Sequence, residues 1–488
     1  MGKTPKGTDT VGGGGDMKDR PVLADKNNMK KNYCVSIFLL GLFLVLPGIS
    51  FAAETSAPRP TSVILEEISL LLGNSKFNDA VALFDTINPQ DAASSQIKLL
   101  KASVLNSGGK TSEARKIAEE VAVREPNNLD ALFVLSAIEA RAGRTKEQQA
   151  VLENILKVDP KNITALLDLG TLHLQTRAIS NAVARYDQAL EIAPDNMNAL
   201  LSRAQIYRLH RDPYNAELLI NKAVSLYPNE AAPYHERARL YKGAGFPIQA
   251  LADLDKAKER DSNNYWIAFD RGEVLMDFNR KAEALVEFER AAGMNPNEFM
   301  NYVYIAGIKD ELGDYDGAEK AYEILAKLKP DYYFAFEGVG MHKMRRGQWL
   351  EARDAFAEAY RQAPNEYYYA LLAAANWMRS SLTGPRQFLN QAMTKVKRDS
   401  IEYFMLRLYY DLTARTYNGE NDMLIKIERE TDKETKARML FYMALYYDIR
   451  GIPNLANRYF QQFKEMDYTY IPEWRLNEWI LGERGLLL

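Results

Sequence analysis

Cysteine is nearly absent from the chain, with one (Cys34) in 488 residues. That count excludes a disulfide framework and any cysteine-rich zinc or iron–sulfur site. Histidine is scarce as well, and the four present (His173, His210, His235, His342) leave little for metal chemistry. Neither sign of charge dominates, because Lys+Arg 62 against Asp+Glu 65 leaves a net charge of -3. A nucleic-acid binder needs surplus Lys and Arg to neutralise phosphates, and no such surplus exists. No HExxH pair, Walker-type phosphate loop or GxSxG elbow occurs. Gly12 to Gly15 precede neither a strand nor a Lys-Ser/Thr pair, so they form no phosphate cradle. These absences point to no cofactor, no metal and no enzyme. What remains is 47% hydrophobic and 26% charged residues, the balance of a soluble protein. By length alone the chain would divide into about three globular domains.

Long apolar runs are missing except for one. Residues 1–28 are rich in Gly, Lys and Asp and carry too little apolar material for a core, so a disordered tail is expected. At Met29-Lys30-Lys31 a short positive segment begins, followed by the apolar run Val35 to Leu46, the breaker Pro47-Gly48, and small residues at Ser50 and Ala52. This is the three-part layout of a secretory signal peptide, 29–52, with cleavage expected after Ala52. The alternative is an uncleaved inner-membrane anchor over 35–51, which is short of the ~20 residues that span comfortably. Cys34 precedes the apolar run and does not read as a lipidation site. A tail ahead of a signal peptide suggests Met29 as the natural start. The expected location is exported, periplasmic or secreted, with residues 53–60 as a linker.

Beyond residue 60 a fixed period emerges. Prolines stand at Pro126, Pro160, Pro194 and Pro228, and again at Pro296, Pro330 and Pro364, in steps of 34, with Ser262 in the one vacant place. With this column as position 32, repeats start at 61, 95, 129, 163, 197, 231, 265, 299 and 333. Position 20 is then Ala80, Ala114, Ala182, Ala216, Ala250, Ala284, Ala318 and Ala352, with only Gln148 deviating. Position 8 is small from the second repeat onward (Ala102, Ser136, Gly170, Ala204, Ala238, Gly272, Ala306, Gly340), and position 24 is often large, as in Phe84, Tyr186, Phe288, Tyr322 and Phe356. A helix–turn–helix unit explains these columns. Small residues let two helices approach, and the large residue fills the space between them. Gly109, Gly143, Gly245, Gly313 and Gly347 at position 15 suit the turn, proline stops the second helix, and Asn128, Asn162, Asn196 and Asn264 fit as N-caps of the next.

The pattern resembles the tetratricopeptide repeat family. The unit Ile163 to Pro194 carries Leu166, Leu169, Gly170, Ala182, Tyr186, Ala189 and Pro194 at the family's signature positions. The resemblance implies an all-α, right-handed superhelical solenoid of antiparallel helix pairs, with nine repeats over 61–366. Residues 367–436 are degenerate: Ala374 and Trp377 remain, but Arg386 occupies the alanine column. Here a helix from Tyr403 to Leu412 and a charged helix after Asn418-Gly419 are expected, with Glu420, Asp422, Glu428, Glu430 and Asp432 on a solvated face. Over 437–488 a terminal repeat returns, with Ala444, Tyr447, Gly451, Ala456 and Phe460 in register. The segment Ile471 to Leu488, with Trp474 and Trp479, reads as the cap a solenoid needs.

In the resembled family, positions 2, 5, 6, 9, 12 and 13 of each first helix line a concave groove. Here those positions bring Arg239, then Trp266, Phe269, Asp270 and Glu273, then Met300 and Tyr304, then Phe334 and Glu337, and finally Tyr368. An aromatic groove edged by carboxylates suits a peptide with hydrophobic anchors and some basic residues, although aromatics at these positions also serve as packing. The carboxylate-clamp residues of the family's chaperone binders are absent. Position 5 holds Phe133, Leu167, Leu201, His235, Phe269, Val303 and Glu337. The resemblance therefore implies a scaffold or adaptor for protein or peptide partners, in bacterial envelope assembly or transport. No nucleic-acid partner is expected, and membrane contact would come only through a retained signal segment. Self-association through Tyr459 to Trp479 and Leu486-Leu487-Leu488 is the alternative, followed by an enzyme with an unrecognised site in 367–436.

Overall fold

A computed structural model describes residues 59–381, 383–414 and 419–487, with the side chain of Ala414 excepted. The expected tail 1–28, the signal 29–52 with Cys34 and Ala52, and most of the linker 53–60 lie outside the described residues. Among the described residues there is no strand, and no helix is long and apolar enough to cross a membrane.

The chain divides into two compact units, at residues 261 and 262. The first holds α1 (Thr61–Gly73), α2 (Phe77–Leu83), α3 (Pro89–Ala92), α4 (Ser95–Ser107), α5 (Thr111–Arg124), α6 (Leu129–Arg141), α7 (Thr145–Val158), α8 (Ile163–Gln175), α9 (Ile179–Ile192), α10 (Met197–Leu209), α11 (Pro213–Leu226), α12 (Ala231–Gly243) and α13 (Pro247–Arg260). The second opens with α14 (Tyr265–Asp277), α15 (Lys281–Met294), α16 (Phe299–Glu311), α17 (Tyr315–Leu328), α18 (Tyr333–Arg345) and α19 (Trp349–Gln362). It continues through α20 (Tyr367–Ser380), α21 (Arg386–Met393), α22 (Ile401–Ala414), α23 (Glu420–Arg429), α24 (Lys433–Ile449), α25 (Pro453–Glu465) and α26 (Pro472–Glu483).

Through residue 362 the first helix of each pair begins at the first residue of the 34-residue period. At several of these starts an asparagine fixes the first turn. Asn128, Asn162 and Asn196 accept the backbone N–H of Ala131, Ala165 and Ala199 at 3.0 Å. Each thereby satisfies one of the N–H groups a helix start leaves orphaned.

Packing within a pair turns on positions 8 and 24. A Cβ added to Gly170 would lie 2.5 Å from Tyr186, and one added to Gly272 or Gly340 would lie 2.8 Å from Phe288 or Phe356. All three rings are fully buried. Where position 8 is alanine in the first unit, position 24 is the smaller Ala118, Ile220 or Leu254. In these six repeats the two columns conserve volume, as close-packed interiors require, whereas Ala306 with Tyr322 and Ile68 with Phe84 do not follow the rule. Charge adds a second tie. Arg237 forms a two-bond pair with buried Asp253 (2.6 and 2.8 Å), and one repeat later Arg271 reaches buried Glu287 at 2.9 Å.

From α20 onward the architecture departs from simple stacking. Residues 368 to 376 of α20 are buried without interruption, so this helix is enclosed on every side. It packs against α19, α21, α22 and α24. The expected cap, α26, does more than cover the last pair. It rests on α24 and α25 and also returns to α18. Arg475 pairs with Asp310 of α16 at 2.8 Å, and the Trp479 ring lies 5.2 Å from Tyr315 and 5.4 Å from His342. Glu420, expected on a solvated face, instead accepts the Tyr447 hydroxyl and an Arg450 guanidinium N–H. Asp422 and Glu428 are exposed, and Asp432 caps α24.

Candidate functional site

Of the ten residues selected by repeat position, Arg239 belongs to the first unit. It lies on α12, with Nη1 3.2 Å from Glu236 Oε1. The other nine lie in the second unit, where the fold sorts them into two groups.

The first group spans α14 and α16. Position 2 of α14 places Trp266 and position 5 places Phe269 one helical turn on, so that they share a face. Their rings meet edge to face with centroids 6.5 Å apart, and Tyr265 stacks on Phe269 at 5.9 Å. Tyr304, at position 6 of α16, meets Phe269 at 5.7 Å and lies parallel over Phe288 at 4.2 Å. Its hydroxyl donates to Glu273 at 2.9 Å. Burial, with Glu273 adding to it, raises the Tyr304 phenol above its ordinary value, so it remains a donor throughout the physiological range. Trp266, Phe269, Glu273, Met300 and Tyr304 are all partly exposed, whereas Asp270 is buried. This group is an amphipathic patch of rings with one anchored carboxylate at its edge.

The second group is enclosed by the chain itself. Phe334 touches Tyr333 (4.1 Å), Tyr333 touches Tyr369 (6.0 Å), and Tyr369 touches Tyr368 (4.3 Å). The Tyr369 hydroxyl donates to Glu337, and both residues are buried. Arg438 of α24 covers the Tyr368 ring at 4.6 Å, and Tyr442 donates to the Tyr368 carbonyl at 3.3 Å. Glu337 and Tyr368 therefore stand inside the C-terminal core instead of on an open groove, Glu337 beneath Tyr369 of α20 and Tyr368 beneath α24. The C-terminal aromatics are engaged in the same way. Trp474 packs on Phe463 (6.0 Å), and Tyr459 stacks on Tyr447 (5.5 Å).

Sequence reasoning passed over a set of basic residues close to these. Arg345 and Arg379 both occupy position 13 of a first helix, one period apart, which the repeat phase could have flagged. Their common neighbours Asp448 and Arg484 lie too far along the chain for any spacing to reveal. Among the described residues, no group of three or more His, Cys, Asp or Glu side chains could hold a metal ion.

Residues 149–196, 167–231 and 309–391 match the family model described as tetratricopeptide repeat. A stretch of 126 residues, 25% of this chain, is 30% identical to human Superkiller complex protein 3. The chain spans little of the curated relatives it matches, 8% of the human protein and 6% of its mouse counterpart. A tetratricopeptide repeat protein from Parabacteroides merdae is similar over 51% of this chain and 98% of its own, with 19% identity and a TM-score of 0.43. PilF of Pseudomonas aeruginosa is similar over 42% of this chain and 94% of its own, with 19% identity and a TM-score of 0.38. A 34-residue period, a helix pair in every period and the matched segments together make this chain a member of the tetratricopeptide repeat family.

Proposed function

We propose that the chain is an exported scaffold that captures partner proteins on the first-helix face of α14 and α16, in bacterial envelope assembly or transport. Repeat arrays of this family serve as scaffolds for protein interactions, so the question for this chain is which face and which chemistry. One observation carries the reading. Trp266, Phe269 and Tyr304 form a continuous ring cluster from one repeat to the next, partly exposed and edged by Glu273. Aromatic residues of this kind concentrate binding energy, and a carboxylate beside them favours a segment carrying Lys or Arg. Export rests on the layout of residues 29–52.

The test separates binding from folding. Phe269 and Tyr304 also pack on buried Phe288, so replacing them would disturb the core. Trp266→Ala with Met300→Ala removes two partly exposed apolar side chains and leaves the rings that pack on Phe288 in place. Capture of partners from an envelope fraction is expected to fail while circular dichroism stays unchanged. Undiminished capture would move the site elsewhere. N-terminal sequencing of the mature protein should begin at Ala53, and a start before Val35 would overturn cleavage.

Self-association through the C-terminal end has less surface to use, since Trp474 and Trp479 are committed to the chain's own packing. Tyr470 and Leu487 remain exposed there.

A further inference from the structure

Where α18, α19, α20, α24 and α26 meet, a cavity of about 180 Å³ opens between two tryptophans and three arginines. Its polar wall is unevenly charged. Arg379 donates to Asp448 at 2.8 Å, and Arg484 donates to the other oxygen of the same carboxylate. One aspartate thus serves two guanidinium groups. Arg345 gives one N–H to Asp316 at 3.2 Å, but that carboxylate is shared with Arg346. The Arg345 Nε is buried without an acceptor. Glu483, at the exposed rim, is the only other acid of the lining, so the wall itself carries three arginines to two acids, with Asp316 outside the lining as the partner of Arg345.

The guanidinium planes are held in place by aromatic faces. Arg379 stacks on Trp349 at 4.2 Å, and Arg345 lies against both Tyr315 (4.9 Å) and Trp479 (5.8 Å). Apart from Asp448, no acceptor among the described residues takes a hydrogen bond from Arg379. Burial holds the Arg379 guanidinium below its ordinary value, with Asp448 opposing and Arg484 reinforcing that shift. A partly buried guanidinium with N–H groups left unsatisfied is costly, and an anion that accepts them offsets the cost. Met344, Leu476, Trp479 and Ile480 make up the apolar part of the lining.

We propose that this cavity is a binding site for a small organic carboxylate. The carboxylate accepts from Arg345 and Arg379, and the aliphatic body of the ligand lies against Leu476, Ile480 and Trp479. Planar guanidinium groups take carboxylates and phosphates alike with two parallel hydrogen bonds, so the apolar part of the lining decides between the ligands. A bare phosphate would leave the apolar wall uncovered.

Calorimetric titration of the full chain with hexanoate, hexylammonium and inorganic phosphate tests the proposal, with tryptophan emission as a second readout. Hexanoate is expected to bind saturably with unit stoichiometry, hexylammonium not at all, and phosphate much more weakly. Arg345→Gln should weaken hexanoate about tenfold, the equivalent of one charge-assisted hydrogen bond. Arg345→Lys, which keeps the charge but not the fork, should fall between the two. Arg379 is left intact because it is buried in the fold. No saturable hexanoate binding, equal binding of hexylammonium or phosphate, or an Arg345→Gln chain of native helicity that binds as before would each overturn the site. Should Arg345→Gln lose native helicity, the three probes on the unaltered chain and on Arg345→Lys decide the matter.

Discussion

Asp168 occupies position 6 of α8, mostly buried, and no hydrogen bond or ion pair reaches it. Burial pushes its carboxyl from the ordinary 3.8 up to about 6. An acid whose folded-state value is raised favours folding less as it ionises. The penalty is absent below about pH 4, grows as pH rises through the window from 3.8 to 6, and is complete above it. Roughly two units at about 1.4 kcal/mol each put the full penalty on the order of 2 kcal/mol, after allowance for partial solvent access. Asp168→Asn should therefore stabilise the protein by about 2 kcal/mol at pH 7.5 and by almost nothing at pH 4, as read from urea midpoints at the two values. An equal gain at both would rule out ionisation as the cause. Single residues of this kind were only half legible. The repeat phase assigns Asp168 to the ligand-facing positions of the family, but nothing in the spacing says that it lacks a partner. Glu337 makes the converse point, because the same phase exposes it while it is buried against Tyr369 of the next repeat.

At the scale of the helix pair, the turn was legible in glycine and incompletely so. Position 15 is left-handed in every repeat from 61 to 366. Gly109, Gly143, Gly245, Gly313 and Gly347 have φ between 70° and 84°, and Ser75, Arg177, Arg211 and Asn279 have φ between 56° and 61°. The two flanking helices impose the conformation, and glycine adopts it without the Cβ clash that other residues suffer. The sequence marks only the glycines, because the fold tolerates a strained residue at the others. Arg211→Gly should then gain up to about 1 kcal/mol, less the extra freedom glycine has when unfolded, and Gly245→Ala should lose about 1 kcal/mol. Both lie in the same unit, so one urea series compares them directly. A gain from Gly245→Ala would show that the turn geometry is not what favours glycine. The helices themselves were readable for a related reason: position 8 against position 24 and the asparagine caps are contacts within one or two periods, which keep one spacing throughout.

For the whole molecule, the length prior of three globular cores gave way to a period of 34, and the C-terminal quarter then departs from that period. Its deciding contacts join residues that no spacing relates: Arg379 with Asp448, Tyr442 with the Tyr368 carbonyl, and Arg475 with Asp310. The second of those contacts withdraws Tyr368 from the open face. Glu473 is the test of how firmly this closure holds. It is fully buried, accepts both oxygens' worth of bonds from Arg438 Nη1 (2.8 and 2.9 Å), and takes the Tyr442 hydroxyl at 2.8 Å. Glu473→Gln keeps the volume but removes the buried one of the two carboxylates that Arg438 pairs with, leaving the partly exposed Glu434, and breaking a buried pair from one side costs up to about 3 kcal/mol. The variant should show faster amide exchange in α20, α24 and α26, because these helices share the Arg438–Glu473–Tyr442 network. Exchange unchanged in α20 would mean that α24 and α26 close over the ring cluster without stabilising it. In that case the face carrying Phe334, Glu337 and Tyr368 could open to a partner after all.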